Sequence, residues 1–211
     1  MKIIILHGLY MHGLVMKPLA DELRTLGYRT KIISYNSVAI NERRVFAAID
    51  AALDRTKTNI LLGHSLGGIV IKRYLASRQP SPTLVSHVVT LGSPLKGASI
   101  TDKVTRLGLK KILGNSPEFG LNKHHDQWEY AQKLGSIAGT TAIGMRSLLV
   151  WDDKTESDGT VTVDETKIDG MTDHIEVNSS HTSMIYSSLV PKQIDHFIKQ
   201  GEFKHKQFHY Q

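Results

Sequence analysis

The residues with the clearest chemical potential lie at positions 63–68, which read Gly-His-Ser-Leu-Gly-Gly. In this Gly-x-Ser-x-Gly pattern the chain turns so tightly that the serine hydroxyl is exposed. Side chains two residues before and two residues after the serine would collide, which predicts glycine at both positions. The apolar run 59–62 precedes the pattern and the run 69–71 follows it. This strand–turn–helix setting predicts Ser65 as a nucleophile, with the backbone N–H of Leu66 facing an oxyanion.

A serine nucleophile needs a base, and the base needs an acid to orient it. Among 11 histidines, His181 is the predicted base, because it follows the extended segment 175–177 and precedes the last helix. Asp158 is the predicted acid, since it opens a turn between nucleophile and base in the chain, although Asp-Gly is also a common reverse turn. The less well placed alternatives are His174, His196, His205 and His209 for the base, and Asp152, Asp153, Asp164 and Asp173 for the acid.

A second loop with chemical potential is the His-Gly-Leu sequence at residues 7–9. Loops that follow parallel strands line active sites, and a glycine there lets the backbone approach a substrate closely. The backbone N–H of Leu9 is therefore the predicted partner of the Leu66 N–H in an oxyanion hole. We expect His7 to hold this loop by hydrogen bonding rather than to act as the base. The predicted substrate contacts are Tyr10, Met11 and His64.

Alternating apolar runs and amphipathic segments must position these residues. The predicted strands are 2–6, 29–34, 59–62, 84–91, 136–143 and 175–178, with a short extended piece at 161–163. The predicted helices are 16–26, 41–53, 66–77 and one that Pro191 opens. This alternation favours an α/β fold with a mostly parallel sheet and helices on both faces.

Length and composition set the organisation of the chain. Its 211 residues suit a single domain, 1–211, in which 96–136 departs from the pattern and is predicted to be a lid-like insertion. The polar tail after residue 201 is expected to fray. The absence of cysteine excludes disulfides, thiolate metal sites and cysteine nucleophiles.

Charge and hydropathy indicate where such a chain works. No apolar run is long enough to span a bilayer, and the apolar run 3–6 is too short for a signal peptide, so we expect a cytoplasmic protein. The net charge of +6 is not arranged as a basic stripe with interleaved aromatics, which argues against nucleic acid as a partner. Weak contact with a membrane surface stays open, and nothing indicates an oligomeric state.

These motifs, together with Thr-Leu-Gly-Ser-Pro-Leu-Lys-Gly at 90–97, resemble the lipase and esterase branch of the α/β-hydrolase superfamily. They look like bacterial lipase/esterase-like serine hydrolases and are also similar to inositol-deacylase-like hydrolases. The resemblance spans roughly residues 3–198 and fails only in the insertion. It implies an α/β-hydrolase fold and an esterase with a Ser65–Asp158–His181 triad, without a cofactor or metal.

Two departures from that family refine the expectation. The antiparallel strands that usually lead the sheet look absent, which predicts a shortened sheet. The insertion 96–136 is rich in Lys and His, which favours a short-chain, small-molecule ester over a lipid ester. A thioesterase or acyltransferase could use the same triad, and a catalytically silent hydrolase fold could serve as a binding protein. These alternatives remain open from the sequence.

Overall fold

A computed structural model describes residues 1–97, 127–143 and 155–205. The strands in these ranges are β1 Lys2–Leu6, β2 Arg29–Ile33, β3 Asn59–His64, β4 Val85–Leu91, β5 Lys133–Gly139 and β6 Asp173–Val177. The helices are α1 Lys17–Thr25, α2 Glu42–Ala52, α3 Leu66–Arg78 and α4 Leu189–Gln200, with short 3₁₀ turns at Gly13–Met16, Asp164–Thr166 and Ser183–Tyr186. Within the described ranges, every helix is too short or too polar to cross a membrane.

The six strands form one sheet in the order β2-β1-β3-β4-β5-β6. Every pairing between them is parallel, which confirms the predicted parallel sheet. The chain passes from β1 outward to β2 and then returns to pair β3 against the other side of β1. A crevice forms at the carboxyl ends of two strands where the strand order reverses in this way. The loops that follow β1 and β3 therefore meet at that crevice.

Helices cover both faces of the sheet, as predicted. Alternate residues of β1 point to opposite faces, so that Ile3 and Ile5 pack with α1 and α4 whereas Ile4 and Leu6 pack with α2 and α3. All four side chains are completely buried. A strand covered on both faces must be apolar at every position, and this explains the continuous apolar run at the start of the chain.

Strand β5 begins earlier than predicted, at Lys133 rather than at residue 136. The hydrophobic pattern did not indicate this start because Gly135 has no apolar side chain. Gly135 nevertheless packs closely on α4, since a Cβ on it would lie only 2.8 Å from a ring carbon of Phe197. Upstream, Trp128 is already buried in the core that α2 and α3 cover. The end of the predicted insertion 96–136 is therefore part of the fold, and positions 98–126 lie outside the described residues.

The predicted extended piece 161–163 is confirmed as far as Thr162, which forms an isolated antiparallel bridge with Ser157. Val163 has helical dihedral angles, φ −56° and ψ −41°, and leads into a 3₁₀ turn. The Glu165 carboxylate accepts a hydrogen bond from the Thr162 backbone N–H at 2.9 Å and holds the loop in this shape. The Val163 backbone N–H also donates to the Glu156 carbonyl at 3.0 Å, so the extended piece is paired and ends where the 3₁₀ turn begins.

The first residues of the tail are docked rather than frayed. Phe203 is 1% exposed and stacks on Phe197 of α4, with 4.8 Å between the ring centroids. The Lys204 backbone N–H donates to the Gln193 side-chain oxygen at 2.8 Å. A single aromatic anchor and its backbone bonds thus attach residues 202–205 to the sheet face.

We expect Phe203→Ala to lower the free energy of unfolding by about 3–5 kcal/mol, because it leaves a large cavity against Phe197. Urea denaturation measures this loss. The matched control is Tyr186→Ala, since Tyr186 is an aromatic that is 60% exposed, and its effect should stay within about 0.5 kcal/mol. Equal stability of the two variants would contradict the docking of the tail.

Candidate active site

Ser65 occupies a strained turn between β3 and α3. Its backbone has φ 53° and ψ −122°, a combination that residues other than glycine rarely adopt. The backbone N–H of Ser65 donates to the Leu91 carbonyl of β4 at 2.8 Å, and this bond holds the turn against its strain. The serine hydroxyl is thereby presented at the carboxyl edge of the sheet, at the N-terminus of α3.

The glycines of the turn have different neighbours, and the predicted clash between positions 63 and 67 holds for Gly63 alone, whose Cβ would lie 2.6 Å from the Gly67 carbonyl carbon. A Cβ on Gly63 would lie 2.3 Å from the Gly68 nitrogen, so this position does face the start of α3. A Cβ on Gly67 would instead lie 2.5 Å from the Leu6 carbonyl oxygen. Gly67 therefore lets α3 approach the end of β1, and the helix N-terminus comes beside the loop that follows β1.

Asp158 and His181 form a buried carboxylate–imidazole pair. The His181 Nδ1 donates to Asp158 Oδ2 at 2.6 Å, and the His181 backbone N–H donates to the Asp158 carbonyl at 2.8 Å. The second carboxylate oxygen of Asp158 accepts from the backbone N–H groups of Thr160 and Val161 at 2.9 and 2.8 Å. Both carboxylate oxygens are thus engaged, and the ring of His181 is left with the lone pair on Nε2.

The serine turn and this pair meet at the end of β4. Leu91 accepts the bond from Ser65, and the next residue, Gly92, has φ +54°. A Cβ on Gly92 would lie 2.7 Å from Asp158 Oδ2 and 3.1 Å from His181 Nδ1. Gly92 thus leaves room for the Asp158–His181 pair, and the sequence analysis did not single it out, although it lies in the 90–97 motif of the family resemblance. No hydrogen bond between the Ser65 hydroxyl and the His181 ring is among those of the described residues. Catalytic hydrogen bonds of this kind are often long without substrate and shorten only when substrate binds.

Two backbone donors at the crevice have no partner in the part of the chain that the structure describes. Neither the Leu9 nor the Leu66 backbone N–H donates to an acceptor within the described ranges. Leu66 begins α3, where the first N–H groups of a helix lack internal partners and carry partial positive charge. Free N–H groups on the loops after β1 and β3 are suited to binding developing negative charge.

His7 holds the loop that carries Leu9, as predicted. Its Nδ1 donates to the Gly8 carbonyl at 2.9 Å, and its Nε2 accepts from the Tyr35 backbone N–H at 3.2 Å. The Tyr35 hydroxyl donates to the His7 carbonyl at 2.7 Å, and the two rings stack. Burial lowers the pKa of His7, which favours the neutral ring that this pattern of one donor and one acceptor requires.

The predicted substrate contacts have different surroundings. Tyr10 is 56% exposed with φ 56°, and its backbone N–H donates to the Ser37 hydroxyl at 3.0 Å. Met11 is half-buried and packs on the core face under α1. His64 is completely buried and donates from Nε2 to the His181 carbonyl at 2.8 Å. The predicted substrate contact of His64 is therefore wrong, because its side chain points into the protein behind the serine.

The alternative acids and bases that the structure describes are engaged elsewhere. His174 bonds the Thr166 hydroxyl, and Asp164 pairs with Lys96. His205 pairs with Asp173, which also accepts from the Phe203 backbone N–H. His196 bonds the Glu202 carbonyl, while Asp152, Asp153 and His209 lie outside the described residues. The ranges that the structure covers contain no group of three His, Asp or Glu side chains suited to a metal ion.

We expect the protein to lose stability as the pH falls below about 6.5. Burial, and then the neighbouring His181, lower the pKa of His64 to about 3. An unfolded histidine titrates near 6.5, so between these two pH values the unfolded state binds more protons than the folded state. The free energy of unfolding therefore decreases as the pH is lowered through this range. This slope is at most about 1.4 kcal/mol per pH unit for one histidine. Urea denaturation at several pH values measures it.

The control for this effect is His64→Gln, whose side chain does not titrate. Its stability should depend less steeply on pH than that of the wild type, although His7, His87 and His174 also have pKa values lowered by burial and keep part of the slope. An unchanged slope would contradict the neutral state of His64.

A comparison with protein families decides the relationship of this chain. The sequence model of the PGAP1-like alpha/beta domain matches residues 25–198, which is most of the chain. The protein belongs to the PGAP1-like alpha/beta domain family. No curated protein matches the sequence.

Solved structures show that this PGAP1-like domain has the α/β-hydrolase fold. It superposes on Bacillus licheniformis lipase BlEst2 in its propeptide form with a TM-score of 0.68 and 18% identity, covering 98% of this chain and 52% of the lipase. The chain thus spans about half the length of that lipase form.

Two further similar structures carry esterase or hydrolase names. For a metagenomic carboxyl esterase the TM-score is 0.67 at 15% identity, with 95% of this chain and 76% of the esterase covered. For a pyrethroid hydrolase from Sphingobium faniae the TM-score is 0.60 at 14% identity, with 95% of this chain and 98% of the hydrolase covered. At such identities the likeness establishes the fold, which confirms the resemblance to the superfamily inferred from the motifs.

Proposed function

We propose that this PGAP1-like domain is a serine hydrolase that cleaves carboxylic esters through an acyl-enzyme intermediate. The observation that carries the proposal is the buried 2.6 Å bond between Asp158 and His181 beside the strained turn of Ser65. A carboxylate that holds an imidazole in one tautomer beside an exposed serine is the arrangement that activates a hydroxyl for attack. Similar structures named as a lipase, a carboxyl esterase and a pyrethroid hydrolase support the assignment of an ester as substrate.

In the proposed reaction, Nε2 of His181 removes the proton of the Ser65 hydroxyl as the oxygen attacks the acyl carbonyl. Asp158 stabilises the resulting imidazolium. The tetrahedral oxyanion binds the backbone N–H groups of Leu9 and Leu66, each of which contributes about 3 kcal/mol to transition-state stabilisation. Collapse of this intermediate expels the alcohol, which takes the proton from His181 and leaves the acyl group on Ser65.

The second half of the reaction restores the serine. His181 removes a proton from a water molecule, which attacks the acyl-enzyme carbonyl, and the same two N–H groups bind the second oxyanion. Ser65 leaves as its oxygen takes the proton back from His181, and the carboxylic acid is released. Every step uses groups of this chain and water alone.

Covalent labelling tests the nucleophile without knowledge of the substrate. We expect a fluorophosphonate to modify folded protein at Ser65 in a one-to-one ratio, as read by intact mass and peptide mapping, because only an activated serine attacks phosphorus at a useful rate. Ser65→Ala and heat-denatured wild type are the controls and should stay unlabelled. Folded protein that takes up no label would overturn the proposal in favour of a binding protein on this fold.

A further inference from the structure

His64 joins the strand that carries the serine to the loop that carries the proposed base. Its ring is completely buried, and its centroid lies 4.8 Å from that of His181. A carbonyl oxygen can only accept, so the 2.8 Å contact between His64 Nε2 and the His181 carbonyl is a hydrogen bond that His64 donates. The residue next to the serine in sequence is thus bonded to the backbone of a residue 117 positions away.

His181 has three anchors, and His64 differs in kind from the other two. The ring nitrogen and the backbone N–H of His181 both bond to Asp158, which lies on the loop before β6. These two bonds set the ring relative to the carboxylate but not relative to β3. The bond from His64 is the described hydrogen bond that ties the base directly to the nucleophile's strand.

The other nitrogen of His64 bonds to nothing in the described part of the chain. Nδ1 is buried without a hydrogen-bond partner and lies 3.1 Å from the position that a Cβ on Gly8 would occupy. A buried nitrogen without a partner costs stability, and an aliphatic side chain would avoid that cost. Packing alone is therefore a poor reason for a histidine here, whereas a long, rigid donor that reaches the His181 carbonyl is a good one.

We propose that His64 is a positioning residue, which sets the distance and angle between the His181 ring and the Ser65 hydroxyl by holding the His181 backbone. This inference rests on the proposed hydrolase function. Proton transfer between serine and base depends steeply on geometry, and a misplacement of about 1 Å costs on the order of a hundredfold in rate. Because the base does not bind the ground-state substrate, loss of the anchor lowers kcat and leaves KM unchanged.

The test compares two substitutions of similar size. His64→Leu fills the cavity but donates no hydrogen bond, whereas the side-chain amide of His64→Gln reaches the place of Nε2 and donates to the same carbonyl. We expect kcat for p-nitrophenyl acetate to fall about tenfold to a hundredfold in His64→Leu, with KM within about twofold. His64→Gln should recover kcat to within about threefold of the wild type. Circular dichroism and urea denaturation should show both variants folded.

Each other outcome is informative. A leucine variant with wild-type kcat, or a glutamine variant as slow as the leucine variant, overturns the role of His64 while the hydrolase function stands. A wild type that neither hydrolyses esters nor takes the fluorophosphonate label overturns both proposals. If His64→Leu does not fold, His64→Met, a more flexible side chain without a donor, replaces it in the same comparison.

Discussion

Replacement of Ser65 by alanine is expected to lower kcat for ester hydrolysis on the order of 10⁶-fold, without unfolding the protein. The reaction then lacks the nucleophile, so the remaining activity comes only from the oxyanion donors and from substrate binding. Alanine at this position keeps the positive φ of 53° and loses no described side-chain hydrogen bond, so stability should change little. Turnover of p-nitrophenyl acetate by purified variant and wild type measures the effect.

A second serine provides the matched control for this substitution. Ser86 lies near the amino end of β4, bonded to His87, and Ser86→Ala should keep kcat within about twofold. An acetyl thioester assayed in parallel distinguishes an esterase from a thioesterase, because a thioesterase would hydrolyse the thioester faster than the oxygen ester. A Ser65→Ala variant that retains more than about a hundredth of wild-type activity would rule Ser65 out as the nucleophile.

Asp158→Asn is expected to lower kcat about 10⁴-fold with the fold intact. The oxygen of the new amide should keep the bonds from the Thr160 and Val161 N–H groups, since a nitrogen there would face two donors. The amide NH₂ then faces His181 Nδ1 and donates to it, so the ring carries its proton on Nε2. In that tautomer Nε2 has no lone pair to accept the serine proton, which is why a nearly isosteric change is so costly.

The contrast with Asp158→Ala separates chemistry from stability. Alanine removes the bonds to Thr160 and Val161 as well, and we expect it to reduce the free energy of unfolding by about 1–3 kcal/mol more than asparagine does. Steady-state kinetics across pH 6–9 and urea denaturation measure the two effects. An asparagine variant within about tenfold of wild-type kcat would exclude Asp158 as the residue that orients His181.

The sequence alone was enough to predict the parts of this protein that depend on neighbouring residues. The turn around Ser65 follows from two glycines between an apolar strand and an apolar helix, and the structure has that turn with the expected strain. Chain order and turn chemistry identified Asp158 and His181, which the structure brings within 2.6 Å of each other. The alternation of continuous apolar runs with amphipathic segments likewise predicted the parallel sheet with helices on both faces, because a strand covered on both faces must be apolar at each position.

Only the tertiary structure decided the features that arise where distant segments touch. Gly135 and Phe203 gave no strand or core signal in their own segments, yet both pack against Phe197 of α4. His64 was predicted as a substrate contact from its place beside the serine, but it faces inward because the His181 carbonyl lies there. Secondary-structure propensity and hydrophobic periodicity depend on a few consecutive residues. The burial of a side chain and its hydrogen-bond partners depend instead on which distant segments the folded sheet places next to it. The strand and turn around Ser65 could therefore be predicted from the sequence, whereas the bond between His64 and the His181 carbonyl could not.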